Sequence, residues 1–286
     1  MFRTRLLSGI VLVVIAAGTM IAGGLILAAV LCTISLIAYR ELTKASGVHD
    51  GEKRMNALEI IGFLMIVVYY AGLYIGLLRM EEYELTSVYR VFMTVAVVAL
   101  LLFMFVYVFS FPRFRAGQVM AAFFELIYAP FLLSSLYIIR EGWEQGALLT
   151  VLVFLCSWGS DTCAYAVGIL FGKHKMAPKL SPKKSIEGGI GGVVGAAVLF
   201  GLYTYFVINP ISVERLQIGL FPAMCLGAVG ALVSMVGDLA ASAIKRDYNM
   251  KDYGKLIPGH GGIMDRFDSV IIAAPFIFFG LTLITS

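Results

Sequence analysis

Residues 237–268 contain the types of residue that could carry phosphate chemistry. Five acidic and five basic residues share these 32 positions with several glycines. If the first part is helical, Asp238, Ser242 and Lys245 lie at i, i+4 and i+7 and share one face, with Arg246 beside them. That face is polar at the point where the chain leaves an apolar stretch.

The second half of this segment adds Lys251, the run Pro258-Gly259-His260-Gly261-Gly262, and the run Asp265-Arg266-Phe267-Asp268. Carboxylates bind Mg²⁺, which prefers oxygen ligands and often bridges substrate phosphates. Lysine and arginine neutralise phosphate charge, and a glycine-rich turn lets backbone N–H groups approach an anion. The pattern predicts a site for a nucleoside triphosphate and a metal. The alternative is a solvated loop with a few salt bridges, in which His260 merely caps or packs.

A second polar segment, residues 172–188, carries five lysines: Lys173, Lys175, Lys179, Lys183 and Lys184. They could bind a phosphate-bearing headgroup or nucleotide, or simply attract anionic lipids. The glycines that follow, from Gly188 to Gly195, predict a close approach between helices.

Two acids lie within apolar stretches, Asp161 and Glu125. An ionisable residue inside a membrane span is costly and marks a candidate functional site. Asp161 is the stronger candidate, with Tyr165 one helical turn away. Glu125 could pair with a basic residue or line the same cavity.

The composition assigns these residues to a membrane protein. Hydrophobic residues make up 60% of the 286 residues and charged residues 14%, whereas a soluble domain carries about 25% charged residues. A span needs about 20 predominantly apolar residues. We expect an all-α polytopic protein with about nine transmembrane helices, of which the first two could form one re-entrant pair with a break near Gly23-Gly24. The predicted spans are 6–22, 24–39, 57–78, 91–111, 118–138, 147–171, 189–208, 218–236 and 269–285.

The basic residues predict the orientation of these spans. With a cytoplasmic N-terminus, 18 of the 22 lysines and arginines fall on the cytoplasmic side, as the positive-inside rule requires. The exceptions are Arg79, Arg90, Arg140 and Arg215. Both polar segments, 172–188 and 237–268, then face the cytoplasm.

Three ordered motifs resemble those of the phosphatidate cytidylyltransferases (CDP-diacylglycerol synthases). The longest runs from Ser242-x-x-Lys245-Arg246 through Lys251-Asp252 to Pro258-Gly259-His260-Gly261-Gly262-x-x-Asp265-Arg266-x-Asp268. The others are Asp161-x-x-Ala164-Tyr165-x-x-Gly168 and Ser181-Pro182-Lys183-Lys184-Ser185-x-Glu187-Gly188. Ser185 stands where many members have threonine, and Ile186 where an aromatic residue is frequent. The motifs cover residues 157–269, so we divide the chain into N-terminal helices, 1–150, and a catalytic region, 151–286.

The resemblance implies an enzyme that transfers a cytidylyl group from CTP to phosphatidic acid and releases pyrophosphate. It further implies Mg²⁺ dependence, a homodimer in a bacterial inner or plasma membrane, and no nucleic-acid partner. Asp238 and Asp265 would be metal ligands, with Asp268 a further one, and Lys245 and Arg246 would join these two acids in catalysis. The implied substrate-binding residues are Asp161, Lys183, Lys184, Ser185, Ser242, Lys251, His260, Gly261, Gly262 and Arg266.

Three other functions fit the sequence less well. A purely structural membrane scaffold would not need a charged segment this dense. A transporter or channel would account for Asp161 and Glu125, but it leaves the basic, acidic and glycine-rich segment unexplained. A CDP-alcohol phosphotransferase would need a paired Asp-Gly…Ala-Arg motif, which this sequence lacks.

Overall fold

The computed structural model describes residues 2–49, 51, 54–78, 85–211, 217–257, 259 and 261–285. Within them the chain forms nine long helices and one short hairpin. The helices are α1 (Phe2–Ala22), α2 (Gly24–Ala45), α3 (Ala57–Leu78), α4 (Leu85–Phe109), α5 (Ala116–Gly142), α6 (Gly146–Phe171), α7 (Ile186–Ile211), α8 (Leu220–Asp247) and α9 (Met264–Thr285).

These helices have the length and composition of membrane spans. Eight of those in the described ranges, α2 to α9, are long and apolar enough to cross a bilayer, and α1 contains a shorter apolar stretch, Gly9–Ala22. The predicted all-α polytopic class is therefore confirmed. The break between α1 and α2 falls at Gly23 and Gly24, whose φ angles are 62° and 50°, in the left-handed region that glycine adopts most readily.

The lysine-rich segment is not a plain loop. Lys175–Ala177 (β1) and Ser181–Ser185 (β2) pair as an antiparallel hairpin, with Lys175 opposite Ser185. Ser185 then leads directly into α7. The sequence pattern does not predict this hairpin, because two strands so short carry no clear alternation of apolar residues.

The polar connection between the last two helices, predicted at residues 237–268, is shorter than predicted. The predicted span ended at residue 236, but α8 continues to Asp247. α9 begins at Met264 rather than 269, so the connection is reduced to 248–263. A polar face ends the apolar stretch without ending the helix, since helical hydrogen bonds do not depend on lipid. Asp238, Ser242 and Lys245 are therefore on one helix, as their spacing predicted.

The chain divides into two compact units. The first comprises Met1–Gly142 and Tyr248–Arg266, and the second comprises Trp143–Asp247 and Phe267–Ser286. The division at residue 150, which followed the motifs, stays a prediction about where the catalytic region begins.

Glycines set the packing of the second unit. A Cβ on Gly188 of α7 would lie 2.7 Å from the carbonyl oxygen of Ala164 on α6, and a Cβ on Gly192 would lie 3.0 Å from that of Ser160. Small residues at such positions let two helix backbones approach closely. The predicted close approach is observed, and it fixes the start of α7 against the middle of α6. The helix α6 also contains a π turn, Leu155–Gly159, just before Asp161.

Candidate active site

A cavity of about 320 Å³ with several charged residues in its lining lies in the second unit. Its walls come from α6, the hairpin, the start of α7 and α8. Five residues predicted from the sequence to form the site line it: Asp161, Lys183, Lys184, Ser185 and Asp238. The other lining residues are Ala164, Tyr165, Gly168, Ile169, Met176, Gly188, Gly189 and Met235.

An ion pair spans this cavity between the hairpin and α8. The ammonium group of Lys184 contacts Oδ2 of Asp238. The Lys184 side chain is 27% exposed and that of Asp238 is 23% exposed, so water and a ligand can reach both. An ion pair at this exposure contributes about 0–1 kcal/mol to stability. The two charges are therefore available for binding.

The start of α7 adds positive potential to the same cavity. Ser185 caps the helix, and its Oγ accepts a hydrogen bond of 3.1 Å from the backbone N–H of Gly188. Gly188 and Gly189 line the cavity beside it. Backbone N–H groups at a helix N-terminus attract anions, and the helix dipole strengthens the effect. Together with Lys183 and Lys184, this arrangement suits a phosphate group.

Glu187 orients the hairpin, a role that the sequence analysis did not assign. Its Oε2 accepts a hydrogen bond of 3.0 Å from the backbone N–H of Lys173. Its Oε1 lies 2.6 Å from Nδ1 of His174. Because Glu187 is in the first turn of α7, these contacts hold the residues that precede the hairpin against the start of α7. The motif spacing gave a signal, since Glu187 is one of its matched positions.

Asp161 lies within α6, in the first α-helical turn that follows the π turn. Its exposed side chain lines the cavity. π turns inside α-helices occur frequently at functional sites. Glu125, the other acid in an apolar stretch, is buried in α5 of the first unit and does not line this cavity.

Three further predicted residues follow Asp238 along α8. Ser242 and Lys245 are partly buried and Arg246 is exposed. None of the three is among the described residues that line the 320 Å³ cavity. Their roles in catalysis and substrate binding stay predictions.

Asp265 belongs to the first unit and organises the glycine-rich turn. It is 8% exposed. Its Oδ2 accepts hydrogen bonds from the backbone N–H groups of Tyr253, at 2.8 Å, and Gly262, at 3.0 Å. Gly261 has a φ of 88°, and a Cβ there would lie 2.8 Å from the same Oδ2. The anion to which the backbone N–H of Gly262 donates a hydrogen bond in this structure is therefore the Asp265 carboxylate itself.

The other predicted residues of this segment have varied surroundings. Lys251 is exposed and Arg266 is partly buried. His260 lies outside the described residues. Substrate binding by these residues and by Gly261 and Gly262 stays a prediction.

Asp268 is in the second unit and is 6% exposed. Its Oδ1 accepts a hydrogen bond of 2.8 Å from the backbone N–H of Ser269. A Cβ placed on Gly237 would lie 3.1 Å from the backbone carbonyl oxygen of Asp268. Asp268 therefore packs beside the residue that precedes Asp238. Among the described residues, no group of three or more His, Cys, Asp or Glu side chains is arranged to hold a metal ion. The predicted ligand set of Asp238, Asp265 and Asp268 stays a prediction.

Comparison with known proteins places these residues in a family. Residues 3–284 match the family described as "Cytidylyltransferase family". The phosphatidate cytidylyltransferase of Bacillus subtilis (strain 168) is 33% identical, over 98% of each chain. That of Haemophilus influenzae is 40% identical over 56% of this chain and 55% of its own, and that of Thermotoga maritima 38% identical over 55% and 57%. The last two alignments thus span little more than half of those relatives.

Proposed function

This chain belongs to the cytidylyltransferase family, and we propose that it transfers a cytidylyl group from CTP to phosphatidic acid. The products are CDP-diacylglycerol and pyrophosphate. One observation carries the proposal beyond the family match. Lys183 and Lys184 of the hairpin and Asp238 of α8, which lie more than 50 residues apart in the sequence, meet in one cavity at the capped start of α7.

The reaction needs neutralisation more than it needs a strong base. A phosphate oxygen of phosphatidic acid attacks the α-phosphorus of CTP. A new P–O bond forms as the bond to the β-phosphate breaks, and its electron pair leaves with pyrophosphate. The attacking phosphomonoester is already largely dianionic near neutral pH, because its second pKa is near 6. The main barrier is to hold two anions together.

The cavity residues supply that positioning. The ammonium group of Lys184 has three donors, and its contact with Asp238 fixes its direction while leaving donors for a phosphate oxygen. Lys183 and the N–H groups at the start of α7 provide further positive charge nearby. Held in this way, reacting groups gain both orientation and electrostatic stabilisation.

Mg²⁺ is the proposed cofactor. The carboxylates of Asp238 and Asp161 line the cavity and offer the oxygen ligands that this ion prefers. These two residues would hold the ion, with Asp265 and Asp268 as the other candidates from the motif. When bound, Mg²⁺ would neutralise charge on the triphosphate.

The proposed setting is the cytoplasmic face of a bacterial inner or plasma membrane, with the chain acting as a homodimer. The distribution of basic residues along the sequence supports this orientation. Acyl chains would stay in the bilayer while the lipid phosphate meets water-soluble CTP at the surface.

Label transfer from CTP tests the proposal. The full chain, purified in detergent micelles, receives Mg²⁺, phosphatidic acid and CTP labelled at either the α- or the γ-phosphate. We expect the α label in CDP-diacylglycerol and the γ label in pyrophosphate. Micelles have no sealed compartment, so a transporter would give neither result. Absence of α label in lipid from a folded, monodisperse chain would overturn the proposal.

A further inference from the structure

Glu41, near the end of α2, contacts a part of the chain more than 200 residues away. Its side chain accepts hydrogen bonds from two backbone N–H groups, that of Ile263 to Oε1 at 3.1 Å and that of Met264 to Oε2 at 2.8 Å. Glu41 is 8% exposed, and all three residues belong to the first unit. A carboxylate from the N-terminal helices therefore holds the segment that leads into α9.

Two glycines make room for this carboxylate. A Cβ on Gly254 or on Gly262 would overlap the carboxylate oxygens of Glu41. The segment thus encloses the Glu41 carboxylate with two glycines and two N–H groups. This fit between a carboxylate and the backbone is specific, because any larger side chain at either glycine must displace the carboxylate.

The electrostatics of the contact are favourable. A buried carboxylate without partners is costly, whereas one that accepts charge-assisted hydrogen bonds is stabilised. The first N–H groups of a helix lack partners within the helix, and the helix dipole favours a negative charge there. Met264 is the first residue of α9. Glu41 and the start of α9 therefore stabilise each other.

Asp265 holds the same segment through a second pair of hydrogen bonds. Its Oδ2 accepts from the N–H groups of Tyr253 and Gly262, and Glu41 accepts from the next two, those of Ile263 and Met264. Three consecutive N–H groups, 262 to 264, thus end on two carboxylates. Because Asp265 directly follows Met264, a shift of Met264 moves Asp265 as well.

We propose that Glu41 is a positioning residue for cytidylyl transfer. It acts through the 253–264 segment, which it holds so that Asp265 and the glycine-rich turn keep their geometry. The inference rests on the proposed function for the reaction, but the contact itself can be measured without any activity.

Glu59 provides a matched control. It is a second buried carboxylate of the first unit, with 0% exposure. Its Oε2 accepts from the backbone N–H of Asn56 at 3.0 Å and lies 3.0 Å from Nδ1 of His49, while Oε1 pairs with Arg40. These partners lie in α2 and in its connection to α3. Glu59→Gln therefore removes a buried charge of the same kind without removing the contact to residues 263 and 264.

The experiment compares Glu41→Gln with Glu59→Gln in the purified full chain. For Glu41→Gln we expect kcat to fall by about 10²-fold, the effect that a misplacement of roughly 1 Å can have. The KM for phosphatidic acid should change by less than about 3-fold, since Ile263 and Met264, whose backbone groups Glu41 contacts, are not among the described residues that line the 320 Å³ cavity. Hydrogen–deuterium exchange in the peptide that covers residues 253–266 should become at least about 10-fold faster.

Glu59→Gln should lower the melting temperature at least as much as Glu41→Gln does. Its kcat should nevertheless stay within about 3-fold of wild type, and exchange at 253–266 should be unchanged. Equal losses of kcat in the two variants would reduce Glu41 to a general structural role and overturn the proposal. So would a normal kcat for Glu41→Gln.

Gly254→Ala perturbs the same contact by changing the glycine instead of the carboxylate. It replaces Glu41→Gln as the test if that variant does not fold. The added Cβ displaces the Glu41 carboxylate, so kcat should fall and exchange should accelerate in the same direction. In the double variant the effects should not add, because both changes break one contact. Full additivity would overturn the proposal. An inactive wild-type chain would instead overturn the proposed function, a result distinct from an active wild type with an unaffected Glu41→Gln.

Discussion

Asp238 and Asp265 are both predicted metal ligands on long helices, but their carboxylates have different kinds of partner. Asp238, on α8 in the second unit, pairs with the ammonium group of Lys184 and is 23% exposed. Asp265, on α9 in the first unit, is 8% exposed and accepts two backbone N–H groups. A ligand can replace a side-chain ion pair, whereas it cannot replace a backbone contact without unfolding the turn.

The difference separates two uses of the same residue type. In the cavity of the second unit, opposite charges meet where water has access, so we expect their charge to serve binding and reaction. In the first unit, the carboxylates of Asp265 and Glu41 accept hydrogen bonds from backbone N–H groups and so fix the shape of a segment. Variants that remove only charge should therefore behave differently in the two units.

The largest combined effect is expected for Asp265→Asn. Activity should fall by at least about 10²-fold, on the order of 2.7 kcal/mol of barrier. Stability should fall as well, by about 1–3 kcal/mol, because a buried acceptor of two hydrogen bonds is altered. CDP-diacylglycerol formation across a Mg²⁺ titration gives the first quantity, and thermal unfolding of the monodisperse protein in detergent gives the second. An unchanged unfolding temperature would contradict the structural role of this carboxylate.

Asp238→Asn should lose as much activity but little stability. The expected loss is again at least about 10²-fold, since the variant weakens Mg²⁺ binding and releases Lys184. The change in unfolding free energy should stay below about 1 kcal/mol, as for a partly exposed ion pair. The control is Asp247→Asn, at the exposed end of α8 and outside the matched motif positions, which should cost little. Near-normal turnover at low Mg²⁺ would remove Asp238 from the metal site and leave Asp268 or Asp161 as candidates.

The two lysines of the hairpin should have smaller effects. Replacing both Lys183 and Lys184 by alanine should raise the apparent KM for one substrate while kcat stays nearly unchanged, the result expected when uniform binding is removed. In single variants, Lys184→Ala should account for most of the change, because Asp238 directs this ammonium group into the cavity. Wild-type KM and kcat in the double variant would return the segment to a general attraction for anionic lipids.

A topology measurement, which does not depend on activity, tests whether positions 183 and 255 face the same side of the membrane. In a cysteine-free background, a single cysteine at position 183 or at position 255 should react with impermeant thiol reagents only from the cytoplasmic side. The prediction follows from the 18-to-4 division of the basic residues. Labelling of either position from outside would contradict a cytoplasmic N-terminus with nine spans.

Hydropathy was a good guide to the helices and a poor guide to their ends. It gave the break at Gly23-Gly24 because two glycines interrupt an apolar run. It ended the eighth span at residue 236, although α8 continues to Asp247, because hydropathy marks the limit of the lipid and not the last helical hydrogen bond. The hairpin at 175–185 was missed, since its polar residues do not alternate with apolar ones.

For the site, the sequence predicted residues that share one cavity, but not what each of them contacts. Lys183, Lys184, Ser185, Asp161 and Asp238 do line one cavity. Glu41 could not be found in this way, because its partners are backbone N–H groups at residues 263 and 264. Any residue but proline has such a group, so the sequence carries no mark of the contact.

The ion pair between Lys184 and Asp238 also has a consequence for selectivity among lipids. The surface of a bacterial membrane is crowded with phosphodiester headgroups that carry a single negative charge, and an unaccompanied lysine there would hold them. Because Asp238 already neutralises Lys184, such a headgroup gains little by entering. A phosphomonoester, with close to two charges near neutral pH, or a triphosphate brings more charge than the carboxylate it competes with. We therefore expect the pair to keep abundant bystander lipids from acting as inhibitors.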